Sequence, residues 1–94
     1  MSVNMMTLEL GNVMAISESE VVRKGLLALI EKEIRLAEHE IAEIRERYDT
    51  LTHEALLRAI QNGVVVGHPA WEDYIVWKNK ESHIARLRQV AIKD

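Results

Sequence analysis

Ninety-four residues, a net charge of −3 and no cysteine fit one small domain and exclude disulfide staples, Fe–S clusters and thiol catalysis. Hydrophobic residues make up 48% and charged residues 29%, a globular balance, and no run approaches the ~18 apolar residues of a membrane span. Phe is absent and aromatics are only 4%, so the core rests mainly on Leu, Ile, Val and Ala, in a chain small enough to benefit from a partner.

The first segment, residues 1–16, alternates apolar Met6, Leu8 and Leu10 with polar Thr7 and Glu9, the period-2 pattern of a half-buried strand. Gly11-Asn12 then reads as a two-residue turn into a second short extended run, Val13 to Ile16. The expectation is a small N-terminal strand or hairpin arm, packed on helices or paired with another chain. Met1 to Leu10 has no basic stretch followed by a long apolar one, so it does not read as a secretory signal.

Residues 17–94 read as one helical domain. Ser17 with Glu20 makes a capping box, and Ile16 and Val21 stand at staple positions around it. A helix is expected from Glu18 to about Tyr48, without proline and with Gly25 as its one glycine. Leu27, Ile30, Ile34, Ala37, Ile41, Ile44, Tyr48 and Leu51 recur at alternating steps of three and four, a heptad seam suited to coiled-coil-like pairing. Glu20–Lys24, Glu31–Arg35 and Glu43–Arg47 have the favourable i,i+4 order for a solvated outer face.

Thr52 is the expected N-cap of a short helix from His53 to about Gln61, with Leu51 and Leu56 as its staple and Asn62-Gly63 as its stop. Val64 to Gly67 is expected to be extended, as a linker on the core or a brief edge strand. Pro69 opens a second long helix, Ala70 to about Ile92, which should fold back antiparallel along the first. Trp71, Tyr74, Ile75, Ile84, Leu87 and Ala91 form its expected apolar stripe. Trp77 is turned about 240° from Trp71 on a helical wheel, so the two indoles cannot fill one core site.

The chain offers little for catalysis. His53-Glu54 begins like the zinc-protease pattern, but Leu57 stands where its second histidine belongs. Leu36 precedes His39 by three residues where a di-iron bundle needs Glu, leaving only His39 with Glu43 on one face. Glu72 and Asp73 suit a helix start through its dipole. No nucleophile elbow and no phosphate-cradling glycine loop is present, so neither a catalytic residue nor a cofactor is expected.

A strand followed by helices suggests a DNA-binding ribbon, but the first 22 residues contain no Lys or Arg and do contain Glu9, Glu18 and Glu20. Residues 18–49 carry −3 and residues 68–94 carry +1, the latter with Lys78, Lys80, Arg86, Arg88 and Lys93. Association fits the pattern better. Met6, Leu8 and Leu10 on the arm, with Trp71, Tyr74 and Trp77 on the last helix, are the candidate partner-binding residues.

The short Thr7-Leu8-Glu9-Leu10 start, the Glu/Arg-rich helix ending at Tyr48 and the segment His68-Pro69-Ala70-Trp71-Glu72-Asp73-Tyr74-Ile75-Val76-Trp77-Lys78 together resemble small helical prokaryotic proteins. These are mostly uncharacterised, and some resemble antitoxins of toxin–antitoxin pairs. The resemblance covers most of the chain, although only Trp71 to Trp77 is distinctive. It implies a cytoplasmic prokaryotic protein that binds a partner protein, for which a small toxin-like protein is the candidate, and it supplies no catalytic residues. Asp49 stands where those proteins tend to have glycine.

The sequence therefore predicts a mostly α fold: a small N-terminal strand or hairpin, then a long antiparallel helical hairpin with a short intervening helix, paired into a coiled-coil-like homodimer. The function expected is a non-enzymatic, antitoxin-like protein-binding module, with no cofactor, metal or membrane. The alternatives are a DNA-binding regulator using an N-terminal β-ribbon and a metal-dependent helical-bundle enzyme using His39 and nearby carboxylates.

Overall fold

The computed structural model describes residues 2–93, which are mostly helical, with no strand among them. Four helices follow in order: α1 (Val3–Met14), α2 (Glu18–Tyr48), α3 (His53–Gln61) and α4 (Gly67–Ile92). They divide into two compact units, Met1–Lys32 and Glu33–Asp94, with α2 contributing residues to both.

The expected N-terminal strand or hairpin is instead α1. The Ser2 hydroxyl caps it, accepting from the Met5 amide at 3.1 Å. Met and Leu lose little side-chain freedom in a helix. The alternation at Met6, Leu8 and Leu10 also lies inside a helical pattern, since Val3, Met6, Leu10, Val13 and Met14 share an arc of about 100°. Gly11-Asn12 is not a turn but the last part of this helix. Its end is a Schellman motif, with Ile16 N–H on Gly11 O (2.9 Å), Ala15 N–H on Asn12 O (3.4 Å) and Ala15 left-handed at φ 58°.

Gly11 is the buried residue of α1, because the chain doubles back over it. A Cβ there would lie 2.9 Å from the Ile16 carbonyl oxygen and 3.5 Å from Val21 Cγ2. Absence of a side chain is thus what lets the start of α2 approach α1 so closely. Ser17 caps α2 as expected, accepting from the Glu20 amide at 3.2 Å. The Glu20 carboxylate lies 3.9 Å from Arg23, three residues on.

In the Glu33–Asp94 unit, the buried cluster draws Ala37, Ile41 and Ile44 from α2, Leu56 from α3, and Tyr74, Trp77 and Ile84 from α4. Ile34, Tyr48, Leu57, Ile60 and Val65 pack against it. The ion pairs between α2 and α4 descend one helix as they climb the other: Arg47 with Asp73, Glu40 with Lys80, Glu38 with Arg88.

The limits of α3 match the local signals. Thr52 Oγ1 accepts from the Ala55 amide at 3.1 Å, and Gly63 (φ 71°) ends the helix. Val64 N–H reaches Ala59 O at 2.9 Å and Gly63 N–H reaches Ile60 O at 3.1 Å, a second Schellman motif. Val64 to Val66 is a linker, Val65 packing on the core while its two neighbours are exposed. In α4, His68 departs from helical geometry, and the peptide bond between it and Pro69 is cis.

The buried ridge of α4 differs from the expected stripe. Ala70, Tyr74, Trp77 and Ile84 are buried, whereas Trp71 and Ile75 are exposed. The rotation between the two tryptophans forced a choice, and Trp77 took the core.

Candidate functional site

Two regions hold the groups with chemistry to offer. The first is a groove of about 570 Å³ in the Glu33–Asp94 unit, with Ile41, Ala42, Ile84 and Ala85 as apolar lining and Glu38, Arg45, Glu81 and Arg88 as charged lining. These charges largely answer one another. Arg88 Nη2 lies 3.4 Å from Glu38 Oε1. Glu81 Oε1 accepts the Trp77 indole N–H at 2.9 Å, and its Oε2 lies 3.3 Å from His53 Nε2. Arg45 donates from Nε to the Leu51 carbonyl at 3.2 Å, with its guanidinium 5.6 Å from the Trp77 ring centre.

His53 stands edge-on to both Tyr74 and Trp77, ring centres 5.8 and 6.4 Å away, with Glu54 also 3.3 Å from Nε2. Its Nδ1 and the Thr50 hydroxyl are buried without a partner. At the head of α4, Asp73 Oδ2 accepts from Arg47 Nη1 at 2.8 Å and from the Tyr48 hydroxyl. The hydrogen bond to Asp73, and then its charge, raise the Arg47 pKa. Burial first, and the Asp73 hydrogen bond second, raise that of Tyr48. Arg47, expected on an outer face with Glu43, is therefore a link between helices.

The second region is the surface of the Met1–Lys32 unit. Every large apolar side chain of α1 is about half exposed or more, from Leu10 at 48% to Val13 at 84%. Val22, Leu26 and Leu29 of α2 add exposures of 51%, 58% and 55% at heptad steps. Glu9 is the one charge in residues 1–17.

The residues expected to act together fall into different environments. Of the seam, Ala37, Ile41 and Ile44 are buried, and Ile34 and Tyr48 pack on the core. Leu27 and Ile30 are half-buried, and Leu51 is 80% exposed. Leu51 leaves the seam because Asp49 is left-handed (φ 51°), which turns the chain off the helix axis and ends the 3–4 spacing. The same exposure removes Leu51 from the expected staple with Leu56. Met6, Leu8 and Leu10 lie exposed on α1, Tyr74 and Trp77 lie in the core, and Trp71 is half exposed with its ring 5.4 Å from that of Tyr74.

His39 and Glu43 are exposed on α2. Among the described residues no group of three or more His, Asp or Glu side chains is placed to hold a metal ion. The β-ribbon that the DNA-binding alternative requires is not formed, since residues 3–14 are helical. Sequence reasoning missed the apolar surface of α1 as a helical surface. Ser2 as an N-cap and the near absence of charge were the signals for it.

No helix of the described residues is long and apolar enough to cross a membrane. No curated protein and no solved structure matches the chain significantly. A family match does extend over residues 1–93. The chain belongs to the Uncharacterized protein MJ0235 family.

Proposed function

We propose that this chain is a non-enzymatic protein-binding module that docks through the apolar surface of its Met1–Lys32 unit. One observation carries the reading: α1 has a single charge in 12 residues, and all its large apolar side chains stand in the open. A helix apolar on nearly every side is stable in water only when something covers it. Twelve residues span about 18 Å, too short for the ~30 Å hydrocarbon core of a bilayer, and α1 carries none of the Lys or Arg that hold an interfacial helix on lipid, which favours protein as the cover.

The Glu33–Asp94 unit has its own buried cluster. The opposed register of its ion pairs supports an antiparallel α2–α4 hairpin as the folded base of the module. The charged groups of its groove pair between helices, Glu38 with Arg88 and Glu81 with His53, which supports binding over catalysis. An antitoxin-like protein in the cytoplasm, holding a small partner, is the biological setting this reading suits.

A photo-crosslinking residue in place of Leu10, activated in the expressing cell, tests it. A covalent adduct of discrete mass is expected. Recovery of the free chain alone overturns the protein-binding reading.

A further inference from the structure

We infer that the occupant of this apolar surface is a second copy of the same chain, docked about a twofold axis so that the α1–α2 pairs form a four-helix bundle. The inference rests on the protein-binding reading above and names its partner.

Charge is the first argument. The α1 part of the surface gives an acidic or basic partner almost nothing to recognise, because residues 1–17 carry only Glu9; on the α2 part Glu18, Glu20 and Glu31 are matched by Arg23, Lys24 and Lys32. A twofold contact sets a surface against its own image, so like charges oppose one another unless the surface is neutral. Glu9 lies about 90° from the centre of the arc bearing Val3, Met6, Leu10, Val13 and Met14, so it stands at the rim of a twofold contact centred on that arc and not within it.

Area is the second. Eight large apolar side chains, Val3, Met6, Leu10, Val13 and Met14 on one arc of α1 with Val22, Leu26 and Leu29 on α2, stand about half exposed or more. At roughly 50–100 Å² of apolar surface each they amount to about 400–800 Å² per copy, against about 800 Å² from each partner in a standard interface.

The third is the missing core. Gly11 is the sole buried residue among those described in the Met1–Lys32 unit, so its two helical segments meet at a glycine and enclose nothing. Two such pairs enclose a four-helix core, and Val22, Leu26 and Leu29 supply steps of four and three for knobs to enter holes.

Light scattering on the purified full chain reads this directly. A mass near twice 10.8 kDa is expected, and a mass near 10.8 kDa across the working concentration range overturns the inference. Because the chain has no cysteine, Val13→Cys gives an unambiguous probe that leaves the interface nearly intact. It should oxidise to a covalent dimer much faster than Leu51→Cys, which is equally accessible but in the other unit. Equal rates overturn the inference. Leu10→Glu with Leu26→Glu should halve the mass while Trp77 fluorescence stays that of the folded chain. Where that fluorescence changes too, the cysteine rates decide.

Failure here is separable from failure of the broader reading. A monomeric purified chain whose Leu10 photo-adduct in cells is with a different protein, a small toxin-like one included, overturns the second copy and leaves protein binding standing. Absence of any adduct removes both.

Discussion

Tyr48, the last residue of α2, donates its hydroxyl to the Asp73 carboxylate in α4, and Arg47 donates to the same oxygen at 2.8 Å. One carboxylate thus ties the end of one long helix to the start of another. A hydrogen bond to a charged, partly buried acceptor is worth more than a neutral one. Tyr48→Phe should therefore cost about 1–2 kcal/mol in chemical denaturation. Arg47→Ala should cost less and lose its effect at high salt, because that guanidinium is half exposed.

The same pair sets a response to alkali. Burial, with the hydrogen bond to Asp73 second, raises the Tyr48 pKa above its ordinary 10.0. The folded chain therefore holds the phenolic proton more tightly than the unfolded chain does. The associated stability is fully present below pH 10.0 and is lost as pH rises through the folded-state pKa. Unfolding free energies measured from neutral pH to beyond pH 10.0 should fall more steeply in the wild type than in Tyr48→Phe. Parallel curves would show that the contact does not couple to folding.

Three helix ends share one hydrogen-bond pattern but not one residue type. Ala15, Asp49 and Gly63 occupy the left-handed position at φ 58°, 51° and 71°. At Asp49, Thr50 N–H reaches Arg45 O at 3.1 Å and Asp49 N–H reaches Glu46 O at 3.3 Å. A Cβ in this conformation crowds the following carbonyl, at a cost of roughly 1–2 kcal/mol that short polar side chains partly offset. Ala15→Gly should stabilise by about 1 kcal/mol and Asp49→Gly by about half that, while Gly63→Ala should destabilise by about 1 kcal/mol. Thermal unfolding of the three variants checks the two signs together.

Trp77 and Trp71 should part company in every measurement. Trp77 is fully buried, whereas Trp71 is 50% exposed. Trp77→Ala empties the centre of the cluster and frees Glu81 from its indole partner, so a loss of about 3–5 kcal/mol is expected. Trp71→Ala should change stability by less than about 1 kcal/mol. Acrylamide should quench the fluorescence of a chain retaining only Trp71 far more than one retaining only Trp77.

The limits of α2 and α3 were legible because their signals are local: Ser17 three residues before Glu20, Thr52 three before Ala55, glycine at position 63. Even Asp49 in place of glycine left the end of α2 at Tyr48, since the polar side chain tolerates the left-handed turn. Residues 3–14 were misread because Met6, Leu8 and Leu10 satisfy period 2 while the longer set from Val3 to Met14 satisfies a helix. Periodicity also showed that Trp71 and Trp77 oppose each other, but not which one faces inward. That is set by contacts from other helices, the α2 and α3 members of the buried cluster and the His53 ring edge-on to Trp77 among them. Asp73 likewise draws Arg47 from 26 residues away, beyond the reach of any i,i+4 rule.

Gly11 and Gly25 make the sharpest paired test of the helical N-terminus. Glycine inside a helix ordinarily costs about 1 kcal/mol relative to alanine, through the freedom it loses on folding. Gly25 has nothing within 4 Å of a built Cβ, so Gly25→Ala should recover roughly 0.5–1 kcal/mol. Gly11→Ala gains the same propensity but places its methyl 2.9 Å from the Ile16 carbonyl oxygen. That oxygen belongs to the backbone just before α2, so a rotamer change cannot relieve the clash. The expected outcome is a net loss, read as faster amide exchange across residues 3–16 with the Glu33–Asp94 unit unchanged. A strand–turn arm with Gly11-Asn12 at its corner would have no such Ile16 contact. Stabilisation by both substitutions would mean that α1 does not approach α2 at Gly11.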